Sequence, residues 1–164
     1  LYGVREDGWN LRLDPWLSSN QTDIEFTLNV NGQSVLVTIK GSGEMVKSIS
    51  VDGRDFHSLV LPTDFNLNNS IDITLGSPQS PYLLSTDSQL INCTWLNHKL
   101  NINITAFSGY SSKAIIVSPE PPETIIINGQ TMRENWVTSK KDDHYLTEIK
   151  FIHSRPKTNL KVLY

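Results

Sequence analysis

The chain carries a single cysteine, Cys93, so no intrachain disulfide can form and packing must hold the fold. Alanine is almost missing, with only Ala106 and Ala114, whereas Ile, Val, Leu, Thr, Ser and Asn are abundant. That balance disfavours helices and favours strands and turns. No apolar stretch approaches the length that crosses a bilayer, so no membrane partner is expected. There is no basic surplus either. The formal charge is −3 and the isoelectric point near 5.8, which argues against a nucleic-acid partner. The sequence begins at Leu1 without an initiator Met and holds no secretory signal, so a mature product or an excised domain is expected, with no bearing on compartment. At 164 residues the chain suits one ordinary domain with its own core.

What is present is alternation and internal similarity. Lys47–Gly53 matches Glu123–Gly129 at a shift of 76 residues. At the same shift Ile71, Ile73 and Leu75 fall on Thr147, Ile149 and Phe151, and Ile24, Phe26 and Leu28 fall on Leu100, Ile102 and Ile104. These positions recur every second residue, the period that places side chains on one face of a strand. Asp52-Gly53 and Asn128-Gly129, which coincide in the match, are both hairpin signals. The expected fold is therefore all-β: a two-layer antiparallel β-sandwich, jelly-roll-like, made of two tandem strand repeats offset by about 76 residues.

Residues 1–20 read as an N-terminal linker or strand that packs on the sandwich or a neighbouring barrel, and 21–164 as the sandwich. Repeat one runs from about 22 to 86 and repeat two from about 98 to 164. Strands are expected at Asp23–Val30, Ser34–Lys40, Pro81–Thr86, Lys99–Ala106, Lys113–Ser118 and Thr158–Tyr164, with irregular stretches at Arg54–Asn69 and Gln130–Asp143. One continuous core is favoured over two small ones.

Catalytic chemistry finds little to work with. His57, His98, His144 and His153 show no metal-ligand spacing, and no metal or cofactor is expected. Glu6-Asp7 and Asp142-Asp143 are sequence neighbours, which point to opposite faces on a strand, unlike the facing carboxylates of a glycosidase. No Gly-x-Ser-x-Gly elbow occurs, so no catalytic residue is named for this chain. Of Trp9, Trp16, Trp95 and Trp136, the last, with Tyr145, is the expected carbohydrate-contacting patch, because an indole can stack on the apolar face of a sugar. Acceptor tripeptides for N-glycosylation start at Asn20, Asn68, Asn92 and Asn103. Roughly two or three would arise by chance in so Asn-, Ser- and Thr-rich a chain. They point weakly to an extracellular or secretory setting, and Asn103 falls in an expected strand.

The first sixteen residues differ from the rest. Trp9, Leu11 and Leu13 alternate, Asp14-Pro15 marks a turn, and Trp16 follows. Trp9, Leu11, Leu13 and Trp16 are the expected interface with a neighbouring domain. The run Gly3-Val-Arg5, then Gly8 through Asp14-Pro15, resembles the passage from helical barrel to C-terminal sandwich in (α/α)6-barrel, or six-hairpin, glycoside hydrolases and phosphorylases. Maltose phosphorylases, acid trehalases and cellobiose phosphorylases belong to that group. Ser50–Gly53, Leu61-Pro62 and Ile71–Gly76 are similar to the hairpin, the Leu-Pro and the strand that follow there, so the likeness covers residues 1–76. Trp16 stands where those families often have a second Pro.

The resemblance implies a non-catalytic C-terminal accessory domain that stabilises a catalytic barrel of the same polypeptide, with the active carboxylates elsewhere. Two alternatives remain open. One is a carbohydrate-binding module with an oligo- or polysaccharide partner. The other is an extracellular surface or filament subunit that assembles by donating a strand, Tyr2–Leu13 or Asn159–Tyr164.

Overall fold

A computed structural model describes residues 3–7, 10–18, 21, 23–30, 33–62 and 70–164. Among them are seventeen strands and no helix. In chain order they are β1 (Gly3–Asp7), β2 (Asn10–Asp14), β3 (Ile24–Val30), β4 (Gln33–Lys40), β5 (Val46–Val51), β6 (Arg54–Asp55), β7 (Val60–Leu61), β8 (Ser70–Leu75) and β9 (Tyr82–Thr86). The second half supplies β10 (Gln89–Leu96), β11 (Lys99–Thr105), β12 (Ser111–Ser118), β13 (Thr124–Ile127), β14 (Gln130–Thr131), β15 (Trp136–Lys141), β16 (His144–Ile152) and β17 (Lys157–Leu163).

Two five-stranded sheets hold most of the strand residues. Sheet I has the order β3-β4-β8-β5-β6, and sheet II the order β10-β11-β17-β13-β14. A small N-terminal sheet, β1-β2-β7, and a shared sheet, β15-β16-β12-β9, face them. The fold is thus all-β with sheets packed as a sandwich.

The buried side chains fall into two clusters. Val35, Val37, Ile39, Ile49, Ile71 and Ile73 of sheet I meet Leu13 and Leu61 of the N-terminal sheet in one. Leu100, Ile102, Ile104, Leu160 and Val162 of sheet II meet Ala114, Ile116, Ile149 and Phe151 of the shared sheet in the other. The shared sheet serves both. Tyr82 and Val117 enter the first cluster, while their neighbours Leu83 and Ile116 enter the second, as alternation along a strand requires. That explains the unbroken apolar runs Tyr82–Leu84 and Ala114–Val117, since a strand covered on both faces need not alternate with polar residues.

The hairpins expected at Asp52-Gly53 and Asn128-Gly129 form. Both central residues of each turn have positive φ, 49° and 74° in the first and 51° and 86° in the second, the I′ geometry that Asn-Gly and Asp-Gly tolerate. The bond from Phe56 N to Ile49 O has its counterpart from Met132 N to Ile125 O.

The 76-residue register does not extend to the strand pairing. β3 pairs with β4, yet their counterparts at that shift, β11 and β12, lie in different sheets. Spatially β4 corresponds to β11 and β8 to β17. One further expectation needs correction: β4 and β8 run parallel, Val37 opposite Ile71, whereas β11 and β17 run antiparallel, Ile102 opposite Leu160. The cause lies in the connections. Between β11 and β13 the chain crosses to the shared sheet as β12, which reverses its direction once more than the direct step from β4 to β5.

Five strands lie where none was expected: the two-residue β6, β7 and β14, and the longer β10 and β15. In β10 a bulge between Leu90 and Asn92 puts Leu90 and Cys93 in the core three residues apart, which breaks the period of two. β15, within the stretch expected to be irregular, is a polar edge strand whose pattern is weakly apolar. The turn expected at Asn31-Gly32 lies outside the described residues.

Candidate functional site

Two side-chain groups look catalytic at first sight. At the first, Ser80 Oγ lies 3.4 Å from His57 Nδ1 with Asp55 nearby. The same Nδ1 lies 3.2 Å from Pro81 O. A carbonyl only accepts, so that nitrogen carries the proton and cannot take one from Ser80. Burial holds His57 below its ordinary value, with the Pro81 carbonyl and the Asp55 charge pulling the other way. Cys93 lines the same hollow, but its thiol donates to His57 O at 3.1 Å and burial pushes it up to about 12, so it is no nucleophile.

The second group is a relay. Asp87 Oδ1 accepts from Ser112 Oγ at 2.6 Å and from Lys113 N at 2.9 Å. Ser112 Oγ bonds Ser88 Oγ, which lies 2.9 Å from His153 Nε2, and Thr158 Oγ1 lies 2.9 Å from His153 Nδ1. Ser88 and His153 are wholly buried, so no substrate reaches the serine. Burial lowers the His153 pKa and Asp87 raises it. The relay holds a corner together. Asn10 Nδ2 donates to Thr86 O and Ser88 O, and Leu90 N donates to Asn10 Oδ1, which ties β2 to the turn between β9 and β10.

The residues named from the sequence are scattered. Leu13 is 1% exposed inside the first cluster and Leu11 packs against it, so both turn toward this chain's own core. Trp16 is 49% exposed, and Trp9 lies outside the described residues. Trp136 is half-buried opposite Ile149 and packs against the second cluster. Tyr145 stands opposite Lys140, whose Nζ is 5.9 Å from its ring centre. The two aromatics share a face but are separated along the strand by roughly 13 Å. Asp143, one of the adjacent carboxylates, bonds Ser77 and His144, and those bonds hold its pKa down. Among the described residues no group of three His, Cys, Asp or Glu side chains could hold a metal.

A different surface gathers aromatic and polar groups. The loop from Ala106 to Tyr110 joins β11 to β12, with Tyr110 N donating to Phe107 O at 3.0 Å and Gly109 at φ 86°. It is clamped to the segment 153–156. Gly109 N donates to His153 O, His153 N to Tyr110 O, Ala106 N to Pro156 O and Ser108 Oγ to Ser154 O. Phe107 is nevertheless 78% exposed and Tyr110 38%. With Pro156 they line a largely apolar hollow of about 580 Å³, a size that suits small ligands.

Pro156 also lines a second hollow, of about 710 Å³, over the outer face of sheet II. Its floor is a row of amides. Asn103 Nδ2 donates to Asn92 Oδ1 at 2.7 Å, and Asn159 Nδ2 donates to Asn103 Oδ1 at 2.8 Å. Both pairs are direct cross-strand neighbours. At the end of the row, Asn128 Oδ1 accepts from Asn159 N and from the Arg155 guanidinium. Two of the glycosylation candidates therefore face each other. Asn103 commits the amide nitrogen that a glycan would need, while Asn92 is exposed on an edge strand. Asn20 and Asn68 lie outside the described residues.

No family model matches the chain, and no curated protein matches it significantly. Sequence reasoning missed Phe107 and Tyr110 because it sought exposed aromatics among the tryptophans. The available signal was Phe107-Ser-Gly-Tyr110, two aromatics flanking a turn between strands.

Proposed function

We propose that the chain is a non-catalytic accessory domain of a carbohydrate-active enzyme, which stabilises the (α/α)6 catalytic barrel of the same polypeptide. The observation that supports this best is the use made of the N-terminal run that carries the family likeness. Residues Gly3–Asp7 and Asn10–Asp14 pair in register, Gly3 opposite Asp14, and the buried Asn10 amide anchors that hairpin to the β9–β10 corner. A domain attached ahead of it would meet a rigid foot. Trp16, half exposed between buried Pro15 and Leu17, offers a large apolar side chain to such a neighbour.

Secretion and glycosylation belong to the same reading, with Asn92 the more accessible of the two described acceptor sites. The encoded residues ahead of Leu1 test the proposal. A helix-rich region of several hundred residues bearing paired carboxylates supports it, and a secretion leader ending directly before Leu1 overturns it.

The aromatic hollow beside the amide row favours a second reading, direct carbohydrate binding. Strand donation has less behind it. β17 lies between β11 and β13, so Asn159–Tyr164 already has neighbours on both sides; of Tyr2–Leu13, β2 lies between β1 and β7, and β1 is the edge strand of that sheet, paired with β2.

A further inference from the structure

We infer that the outer face of sheet II, from the Phe107–Tyr110 turn across the asparagine row, binds an anionic oligosaccharide whose rings carry carboxylates. The inference rests on the carbohydrate reading above and adds to it a place and a ligand class.

Three features converge. The first is the exposed pair Phe107 and Tyr110, held on a clamped turn, whose faces suit the apolar C–H face of a pyranose. The rigidity of the turn matters, because ordering a loose loop would offset much of what stacking contributes.

The second is the amide row. Each asparagine in it uses only part of its capacity, since a side-chain amide has two donors and two acceptor lone pairs. The groups left over include both N–H donors and carbonyl acceptors, and a sugar hydroxyl, both donor and acceptor, can pair with either.

The third is charge. The strands of sheet II contain Lys99, Lys157 and Lys161 and no Asp or Glu, in a chain whose net charge is −3. Lys157 and Arg155 line the second hollow, and no carboxylate lines either one. Arg155 is exposed and shares only part of its five-donor fork with Asn128, leaving N–H groups for a ligand carboxylate.

The three features lie in sequence along the sheet. Gln89, Thr105 and Lys157 form the row nearest the aromatic turn. Asn92, Asn103 and Asn159 form the next, and Thr94, Asn101 and Lys161 the one after. Rows on one face of a sheet are separated by roughly 6.6 Å, so the face is long enough for a short chain of rings. A single-stranded nucleic acid is also anionic and stacks, but it calls for a continuous cationic groove and repeated aromatic platforms. Here the platform is single and amides outnumber cations along the row.

The test is calorimetric titration of the full chain, produced in a host without N-glycosylation so that Asn92 and Asn103 stay bare. The probes are a hexameric oligogalacturonate, maltohexaose and a dT oligonucleotide. Saturable binding of the oligogalacturonate is expected. Phe107→Ala should weaken it at least about ten-fold. Arg155→Gln with Lys157→Gln should weaken it and flatten its dependence on salt, while Trp136→Ala should leave it unchanged. All of these positions except Trp136 are exposed, and unchanged thermal stability of the variants confirms that they fold.

No saturable binding of oligogalacturonate, or binding that survives Phe107→Ala, overturns the site. Maltohexaose bound as tightly as the uronate overturns the anionic class, and tighter binding of the oligonucleotide overturns the sugar. Each result is read independently of the residues ahead of Leu1, so the site and the accessory role can fail separately.

Discussion

Sheets I and II share a spatial order, a hairpin pair of strands, a central strand and a second, short hairpin at the far edge, yet they differ in direction and in surface. In sheet I the central strand β8 runs parallel to β4, and in sheet II β17 runs antiparallel to β11. Their short hairpins are locked in the same way. Asp52 N donates to Ser70 O and Ser70 N to Asp52 Oδ1; Asn128 N donates to Asn159 O and Asn159 N to Asn128 Oδ1. One frame thus serves two chain routes.

The outer faces part company. On sheet I Thr38 lies between Glu25 and Asp72, a mixed polar surface with carboxylates. On sheet II the equivalent place holds the asparagine row and lysines. Core positions answer to packing in both sheets, and the two outer faces differ in their surface rows, carboxylates flanking a buried Thr38 in one and amides with lysines in the other.

The largest effects should come from the cores. Ile73→Ala in sheet I and Ile102→Ala in sheet II each remove a side chain at most 1% exposed and should cost about 2–5 kcal/mol. Because β9 and β12 feed both clusters, each variant should show one unfolding transition by circular dichroism and by tryptophan fluorescence alike. Two separated transitions would show that the sheets unfold independently.

Asn10→Ala comes next. It leaves the carbonyls of Thr86 and Ser88 and the Leu90 N–H without their buried partner and should cost about 1–3 kcal/mol in urea titration. An unchanged midpoint would mean that the β9–β10 corner stands without β2. The hairpins allow a direct comparison. Gly53→Ala and Gly129→Ala each place a Cβ in open space at positive φ, so backbone strain alone should cost about 1–2 kcal/mol in both. Unequal losses would break the equivalence of the two turns.

The smallest effect is on pH dependence. His57 and His153 both lie below their ordinary 6.5 because burial disfavours the cation. The unfolded chain therefore binds more protons as pH falls. Stability should be full above about pH 6.5 and fall as pH drops through the lowered values. On protonation both His153 nitrogens must donate, so Ser88 and Thr158 must both accept, with the Ser88 proton passed toward Ser112 and Asp87. His153→Gln should remove its share of the slope in melting temperature between pH 8 and 5; an unaltered slope would place the titration elsewhere.

Much of this was legible in the residues. The two short hairpins were, because consecutive positive φ values restrict the turn to pairs such as Asp-Gly and Asn-Gly. The inward alternation of β4, β8, β11 and β17 was as well. β10 was hidden by its bulge and β15 by its polarity. The parallel pairing of β8 on β4 depends on where the chain crosses layers, which local pattern does not encode. Leu13 reads as an interface residue only until Leu59 and Leu61 are seen against it. The exposure of Phe107 follows from clamping by residues 153–156, more than forty positions away.

The central claim is that sheet II, and not its counterpart, presents the working face. Mapping amide chemical-shift changes by NMR during titration with hexameric oligogalacturonate tests it most directly. The shifts should concentrate at Thr105–Tyr110, Arg155–Asn159 and Asn92, with sheet I silent at Thr38 and Asp72. Shifts centred on sheet I, or on Trp136 and Tyr145, would contradict it.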